Sequence, residues 1–234
     1  MTRVAQEFSR FAAAYGRHNI IQAEVAKKLI SMLPLKRYET ILDLGCGRGE
    51  VYHNLKKQRI GFGHLSALDI SAEMLQLHPS GENLTMIQND FNQPDILKAL
   101  PASHYDLLIS SSALQWSSDL DATLSLLASL SDRFYFAIFT AGTFRSLHRC
   151  AGITSPIYSE AILKEKISNY FDVTYETIRY KLHFDTVYKM LRYIKESGTS
   201  GGERRLSYAQ TKQLLDTYPY DYLEFEVLFV SSKS

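Results

Sequence analysis

The segment Ile41-Leu42-Asp43-Leu44-Gly45-Cys46-Gly47-Arg48-Gly49 joins a short apolar run to three alternating glycines. Such a run is typical of a buried strand, and the glycines allow a sharp turn and the close approach of a ligand to the backbone. A helix is predicted next, from about Glu50 to Lys57. Its first turn would direct backbone N–H groups and a partial positive charge towards a ligand. The segment therefore predicts a strand, a ligand-binding loop and a helix.

Two phosphate-binding templates do not fit this loop. The dinucleotide pattern G-x-G-x-x-G requires glycine where Glu50 stands, and the P-loop requires Gly-Lys-Ser/Thr where the chain has Gly47-Arg48-Gly49. A glutamate beside a pyrophosphate would also repel it. The amino-acid end of S-adenosylmethionine (SAM) carries an ammonium group as well as a carboxylate, so it accepts an acidic neighbour. The loop thus favours SAM and disfavours an NAD-dependent oxidoreductase.

Strand patterns and helix patterns alternate along the first two thirds of the chain. Five strands are predicted, at residues 40–44, 66–70, 84–87, 105–110 and 134–140. Strands separated by helices indicate a parallel sheet with helices on both faces. Two later strands, at residues 173–184 and 222–230, follow long helical excursions and suit antiparallel pairing at an edge. The predicted fold class is α/β, a Rossmann-like doubly wound, mostly parallel sheet with an antiparallel edge strand.

We expect one domain of 234 residues. Residues 1–35 would form an N-terminal helical lid, residues 36–142 the cofactor-binding core, and residues 143–234 the late strands with a small helical cap. A net charge of +1 gives no sign of nucleic-acid binding, and no apolar run approaches the roughly 20 residues of a membrane span. Two cysteines without metal-site spacing suit a reduced, cytoplasmic setting. The oligomeric state stays open.

Polar and aromatic residues follow the predicted strands at their carboxyl ends. Asp69 ends the second strand, where an acid in such folds accepts hydrogen bonds from ribose hydroxyls. A helix N-cap is the other interpretation, but Ser71 is better suited to that role. Asp90 and Phe91 end the third strand and could bind the amino group and ring of adenine. Trp116 follows the fourth strand, where it either covers the next helix or forms a wall of the reaction pocket.

These segments resemble the class I SAM-dependent methyltransferases. The resemblance lies in Ile41 to Gly49, Leu68 to Leu75 and Asp106 to Ser110. It implies SAM as the cofactor. The residues that it implies as cofactor contacts are Gln22, Asp43, Gly45, Gly47, Gly49, Asp69, Ile70, Met74, Asp90, Phe91, Ser110 and Gln115.

A narrower resemblance connects the chain with the malonyl-[acyl-carrier protein] O-methyltransferases of biotin synthesis. It is carried by four segments, Phe8 to Gln22, Ala113 to Leu120, Thr140 to Leu147 and Leu191 to Gly198. The chain departs from that family at Ser111, at Ser131-Asp132-Arg133 and at Ser146. The resemblance implies methylation of the free carboxylate of a malonyl thioester on acyl-carrier protein. Two alternatives stay open: a methyltransferase for another small carboxylic acid or a quinone-like ring, and a non-catalytic SAM-binding assembly factor.

Three residues are predicted to serve the transfer itself. Arg145, ranked before Arg149, would hold the substrate carboxylate, unless it is a solvated helix residue. Tyr15, together with Gln22, would close a lid over SAM or simply pack a helix, and Trp116 would form the pocket wall. Late basic residues would attract the acidic carrier protein or form a solvated face: Lys189, Arg192, Lys195, Arg204 and Arg205.

Overall fold

The structure is a computed structural model that describes residues 19–93, 95–196 and 206–233. Tyr15, residues 1–18 of the predicted N-terminal lid and the late basic residues Arg204 and Arg205 lie outside these ranges. Of the helices that the structure describes, none combines the length and the apolar character that crossing a membrane requires.

Seven strands and eight α-helices are described along these ranges. The strands are β1 (Arg37–Leu44), β2 (Gly61–Asp69), β3 (Leu84–Gln88), β4 (Leu107–Ser111), β5 (Phe134–Phe139), β6 (Val173–His183) and β7 (Tyr222–Ser232). The helices are α1 (Ile20–Ser31), α2 (Glu50–Lys57), α3 (Ala72–Leu77), α4 (Leu120–Ala128), α5 (Arg145–Ala151), α6 (Glu160–Ser168), α7 (Val187–Glu196) and α8 (Tyr208–Thr217). Short 3₁₀ turns span Ile96–Ala99 and Leu114–Trp116.

All seven strands form one sheet in the order β3-β2-β1-β4-β5-β7-β6. The pairs among β1 to β5 are parallel, whereas β7 runs antiparallel to both β5 and β6. The prediction of a mostly parallel, doubly wound sheet with antiparallel pairing at one edge is confirmed. The antiparallel strand itself is the second from that edge. The carboxyl ends of β1, β2, β3, β4 and β5 therefore lie along one edge of the sheet.

The first two strands begin earlier than their apolar runs indicate. β1 begins at Arg37 and β2 at Gly61, and these two residues pair with each other in the sheet. In this additional part of β1 the exposure alternates, with Tyr38 buried between exposed Arg37 and Glu39. An alternating, partly polar stretch gives no continuous apolar signal, which is why the sequence placed the start of β1 at residue 40.

The apolar core consists of two clusters, one on each face of the sheet. Because side chains alternate along a strand, β5 contributes Tyr135 and Phe139 to one cluster and Phe136 and Ile138 to the other. The first cluster includes apolar residues of α1, α2, α5, α7 and α8, and we call its side of the sheet the α1 face. The second includes residues of α4 and α6, and we call its side the α4 face.

Candidate functional site

The glycine loop between β1 and α2 has the backbone conformation that its sequence predicts. Gly45, Gly47 and Gly49 have φ angles of +73°, +53° and +89°, in the left-handed region that favours glycine. The N–H groups of Gly45 and Cys46 both donate to the carbonyl oxygen of Leu68, at 2.8 and 2.9 Å. These bonds attach the loop to the end of β2 and fix it at the carboxyl edge of the sheet.

The two sides of the loop have different surroundings. A Cβ atom on Gly45 would lie 2.2 Å from the Cβ of Ala113, in the segment that follows β4. A Cβ atom on Gly47 would have no atom of the described chain within 4 Å. Gly45 is therefore packed against the protein, whereas Gly47 faces open space from which a ligand can reach the backbone.

Asp69, at the end of β2, holds the loop from the other side. Its Oδ2 accepts a hydrogen bond from the Gly47 N–H at 2.8 Å, and its Oδ1 accepts one from the Ser71 N–H at 2.9 Å. Burial raises the pKa of Asp69, and the backbone donors, Ser71 first, oppose that rise. Ser71 is the N-cap of α3, as predicted, and its hydroxyl accepts from the N–H of Met74, which is buried. A ribose would have to share the carboxylate with these backbone donors.

Asp43 is a completely buried carboxyl group near the end of β1. Neither of its carboxylate oxygens accepts a hydrogen bond from any residue that the structure describes. Burial, and then the negative charge of Asp69, raise the pKa of Asp43 well above its ordinary value. Buried charges in proteins are normally paired, so this carboxyl is suited to a ligand that brings a cation or hydrogen-bond donors. Its neighbour Ile41 belongs to the α1-face cluster, which places Asp43 on the α1 face.

Other buried acceptor atoms come from elements that meet at the same edge. Gln22 Oε1 on α1, Ser111 Oγ at the end of β4 and Gln115 Oε1 have no hydrogen-bond partner in the described ranges. Gln115 donates through Nε2 to the Ser112 carbonyl at 2.6 Å, and Ser112 has a left-handed φ of +64°. A non-glycine residue in that conformation is strained by about 1–3 kcal/mol and is typical of functional sites. No feature of the sequence indicated a role for Ser112.

Ser110 and Trp116 lie on the two sides of that turn. The Ser110 hydroxyl donates to the Leu44 carbonyl at 2.8 Å, so it connects the end of β4 to the end of β1. Trp116 ends the 3₁₀ turn and is partly buried. The structure thus places Ser110 where it supports the glycine loop, and Trp116 in the segment that follows β4.

Asp90 forms a small polar network after β3. Its Oδ1 accepts from both the backbone N–H and the side-chain Nδ2 of Asn92, each at 2.9 Å. Asn92 Oδ1 in turn accepts from the backbone N–H of Ser118 at 2.7 Å. Asn92 therefore joins the end of β3 to the segment after Trp116, a connection that the sequence did not reveal. Phe91 packs against the α4-face cluster.

The start of α1 is attached to the start of α2 beside the glycine loop. Asn19 Nδ2 donates to Glu50 Oε1 at 2.9 Å. Glu50 lies in the first turn of α2, where a negative charge is favourable, and it also brings the N-terminus of α1 next to the loop. The sequence identified Glu50 only as a residue that excludes phosphate ligands, and it did not identify Asn19.

Arg145 lies apart from the residues above. Its Nη2 donates to Glu226 Oε2 at 3.0 Å. Arg145 follows the end of β5, and Glu226 lies in β7, the strand next to β5. Glu226 alternates with Val227 of the α1-face cluster, so it lies on the α4 face, opposite to Asp43. The described contacts therefore do not bring Arg145 together with the predicted cofactor residues, and its role in binding substrate stays a prediction. Among the late basic residues, Lys189 is paired with Asp185.

Comparison with known protein families gives a match over most of the chain. A family model described as a methyltransferase domain matches residues 35–199. A malonyl-[acyl-carrier protein] O-methyltransferase of Erwinia billingiae is 32% identical over 160 residues, which cover 66% of this chain and 59% of that protein. One of Acetivibrio thermocellus is 30% identical over 240 residues, which cover 90% of this chain and 83% of that protein. The alignment to the Erwinia billingiae protein thus spans less than two thirds of that protein.

Solved structures agree on the fold. The YcgJ protein of Bacillus subtilis has a TM-score of 0.61 at 15% identity, over 90% of this chain and 99% of that one. A SAM-dependent methyltransferase of Archaeoglobus fulgidus has a TM-score of 0.53 at 17% identity, over 91% of this chain and 94% of that one. At these identities the similarity shows a common fold alone.

Proposed function

The chain belongs to the methyltransferase-domain family, and on that premise we propose that it transfers a methyl group from SAM to the free carboxylate of a malonyl thioester on acyl-carrier protein, an early step of biotin synthesis. The observation that carries the cofactor assignment is Asp43, a buried carboxyl without a donor from the described chain, next to a loop whose Gly47 faces open space. A cofactor whose end carries both an ammonium and a carboxylate group is complementary to this pair of features.

The residues of the site divide according to the parts of SAM. Asp43, Gln22 and Gln115 present acceptor oxygens for the ammonium group, and the N-terminal end of α2 is favourable for the carboxylate. Asp69 would accept the ribose hydroxyls. Asp90 would accept the adenine amino group through Oδ2, which no hydrogen bond engages among the described residues, and Phe91 would contact the ring.

The chemistry requires positioning more than proton transfer. SAM supplies an electrophilic methyl group on a positively charged sulfur. A carboxylate acceptor is already ionised near neutral pH, so no general base is needed. Opposite charges on the two reactants are lost as the neutral ester forms, which a closed, dry site favours. The protein then has to hold the carboxylate in line with the methyl group, and we assign this task to Arg145, Trp116 and Tyr15.

The acceptor is proposed from the relatives. The malonyl-[acyl-carrier protein] O-methyltransferases of E. billingiae and A. thermocellus support a malonyl thioester and a carrier-protein partner. A carrier protein is acidic, so basic residues of the late region, such as Lys189 and Arg192, would attract it.

One incubation tests this function directly. The protein is mixed with SAM and malonyl-carrier protein, and the mass of the carrier is measured; the expected result is a gain of one methyl group. Acetyl-carrier protein is the matched control, because it has the same carrier and thioester but no free carboxylate. No gain on the malonyl carrier, while SAM binds in calorimetry, would contradict the proposed acceptor. A gain on both carriers would show that the acceptor is a group other than the malonyl carboxylate.

A further inference from the structure

A cleft of about 520 Å³ opens at the carboxyl end of β5. Its walls are the turn after β5, the start of α6 and the side chains of Arg145, Lys164 and Glu226. The Ala141 N–H donates to the Tyr158 carbonyl at 2.8 Å, and this bond fixes the turn to the segment before α6. The cleft is thus framed by elements of the core.

Glu226 is the centre of a polar cluster on one wall of this cleft. Its side chain is only 6% exposed, within a strand whose neighbouring residues are apolar. Oε1 accepts from the Thr140 hydroxyl at 2.6 Å. Oε2 accepts from Arg145 Nη2 at 3.0 Å and from Arg179 Nε at 2.8 Å. One buried carboxylate therefore holds two arginines next to each other.

The two arginines keep most of their hydrogen-bonding capacity. The Arg145 side chain is 60% exposed and the Arg179 side chain 66% exposed. A guanidinium group has five N–H donors, and within the described ranges each of these two uses one of them on Glu226. Two positive charges on one negative charge leave a surplus of +1. The neighbouring pair Lys164–Glu160 is balanced and leaves that surplus unchanged.

Gly142 shows that the chain is built around this carboxylate. A Cβ atom at Gly142 would lie 2.1 Å from Glu226 Oε1. Any other residue there would force the carboxylate away from its present position or move the turn after β5. The absence of a side chain at this position is thus a requirement of the cluster.

We propose that Arg145 and Arg179, held on Glu226, form an anion-binding subsite for an acidic group of the methyl acceptor. Glu226 acts as a positioning residue, because its Oε2 binds both guanidinium groups and so holds them close enough to bind one carboxylate or phosphate together. The inference rests on the proposed function, because it concerns the acceptor of the proposed reaction. Arg179 is a binding residue that the sequence did not indicate.

Two acidic groups of the acceptor have the required chemistry. One is the malonyl carboxylate that receives the methyl group. The other is a phosphate in the arm that joins the thioester to the carrier protein. β5 lies two strands from β1, which is about 10 Å at the usual spacing of strands. At that distance the subsite can bind either the reacting carboxylate or a phosphate remote from the reacting atom. Both groups are oxyanions, and the experiment distinguishes them.

The test compares Arg179→Ala, Arg179→Lys and Arg145→Ala with Arg37→Ala as the control. Arg37 has a similar side-chain exposure of 62% and also pairs with a glutamate, the exposed Glu39, but it lies at the start of β1, at the end of the strands opposite to the glycine loop. KM and kcat are measured with malonyl-carrier protein, and the Kd of SAM is measured by calorimetry. Arg179→Ala is expected to raise KM about tenfold, as the loss of one charged hydrogen bond does, with little change in kcat or in the Kd of SAM. The KM of Arg179→Lys should lie between those of the unmodified protein and Arg179→Ala, because lysine keeps the positive charge but lacks the paired N–H donors of the guanidinium group.

A second acceptor identifies the bound group. Malonyl-pantetheine has the carboxylate and the thioester but no phosphate. An increase in KM with both acceptors assigns the subsite to the carboxylate, and an increase with the carrier alone assigns it to the phosphate. A KM that is unchanged in Arg179→Ala for both acceptors overturns the inference, even though the proposed function stands.

A binding measurement separates the subsite from the proposed function. If the unmodified protein does not methylate malonyl-carrier protein, the proposed function has failed. The binding of malonate and of inorganic phosphate is then followed by NMR in the unmodified protein and in Arg179→Ala. Binding of either anion that is lost in the variant supports the subsite, and equal binding or no binding in the two proteins overturns it.

Discussion

Gly45 and Gly47 both have a left-handed φ angle but differ in their surroundings, and this difference predicts two separable defects. Both residues have positive φ, so replacing either with alanine costs about 1–2 kcal/mol of backbone strain. At Gly45 the new Cβ would also lie 2.2 Å from the Ala113 Cβ, and such overpacking adds roughly 1–3 kcal/mol. At Gly47 nothing in the described chain lies within 4 Å of the new atom. Gly45→Ala should therefore destabilise the fold by about 2–5 kcal/mol and Gly47→Ala by about 1–2 kcal/mol.

Thermal unfolding measures the first defect. For a chain of this length, 1 kcal/mol corresponds to about 2–4 °C in Tm, so Gly45→Ala should melt roughly 4–20 °C below the unmodified protein and Gly47→Ala roughly 2–8 °C below it. The double variant Gly45→Ala/Ala113→Gly removes the colliding methyl group. It should regain part of the lost stability, which attributes that part to the steric contact and not to the backbone strain.

SAM binding is measured by calorimetry. Relative to the stability that each variant loses, Gly47→Ala should lose more SAM affinity than Gly45→Ala. The open side of Gly47 is where the cofactor would approach the backbone, so Gly47→Ala should weaken SAM binding strongly although it destabilises the fold little. Normal SAM affinity in folded Gly47→Ala would refute the assignment of this open space to the cofactor. A Gly45→Ala variant as stable as Gly47→Ala would refute the steric argument.

Three further variants test the charged residues. Asp43 has its pKa raised by burial and then by Asp69, so the folded state binds this proton more tightly than the unfolded state does. As the pH rises from about 3.9, the usual unfolded pKa, to the raised folded pKa, Asp43 should lower the stability by up to about 1.4 kcal/mol per pH unit. Asp43→Asn should lose this part of the pH dependence in urea titrations and keep the part due to Asp69; parallel pH profiles would contradict this. Asp69→Asn keeps one acceptor oxygen for the backbone donors. It should raise the Kd of SAM at least about tenfold, because a charged hydrogen bond to the ribose is lost. An unchanged Kd in calorimetry would reject the ribose contact. Glu226→Ala leaves the Thr140 hydroxyl without its acceptor and should lower the free energy of unfolding by about 1–3 kcal/mol. This is the cost of breaking a buried ion pair, reduced because the two arginines are exposed. A Tm within about one degree of that of the unmodified protein would count against the cluster.

The sequence predicts best the features that depend on a few consecutive residues. The glycine loop and the Ser71 cap were both predicted, and the structure confirms them. The capping box of Ser207 with Gln210 at the start of α8 is a feature of the same local kind. Each is a local pattern in which the residue types and their spacing determine the hydrogen bonds. The antiparallel pairing of the late strands was also predicted, because the alternation of strands and short helices ends before them and long helical excursions take its place.

Contacts between distant segments were beyond the sequence. Asn19 and Glu50 are 31 positions apart, and Arg145 and Glu226 are 81 apart. Neither pair has a local signature, because the sheet order that brings them together is not encoded in any single segment. Glu226 did leave one signal, a single charged residue within the apolar stretch Phe225–Val230. A charge in such a run is costly to bury, and its presence there indicates a specific partner.

The position of β7 also has a consequence for how the protein is made. β5 and β6 leave the ribosome before β7, yet β7 is the strand that separates them in the sheet. Until residues 222–232 have been synthesised, β5 keeps an open edge, and the apolar side chains of Phe134–Phe139 lack their partner strand. Open strand edges of this kind pair with other chains. The nascent chain therefore passes through an aggregation-prone stage between the synthesis of β5 and that of β7, and truncations that remove β7 are expected to be lost to inclusion bodies or proteolysis whatever their effect on the cofactor site.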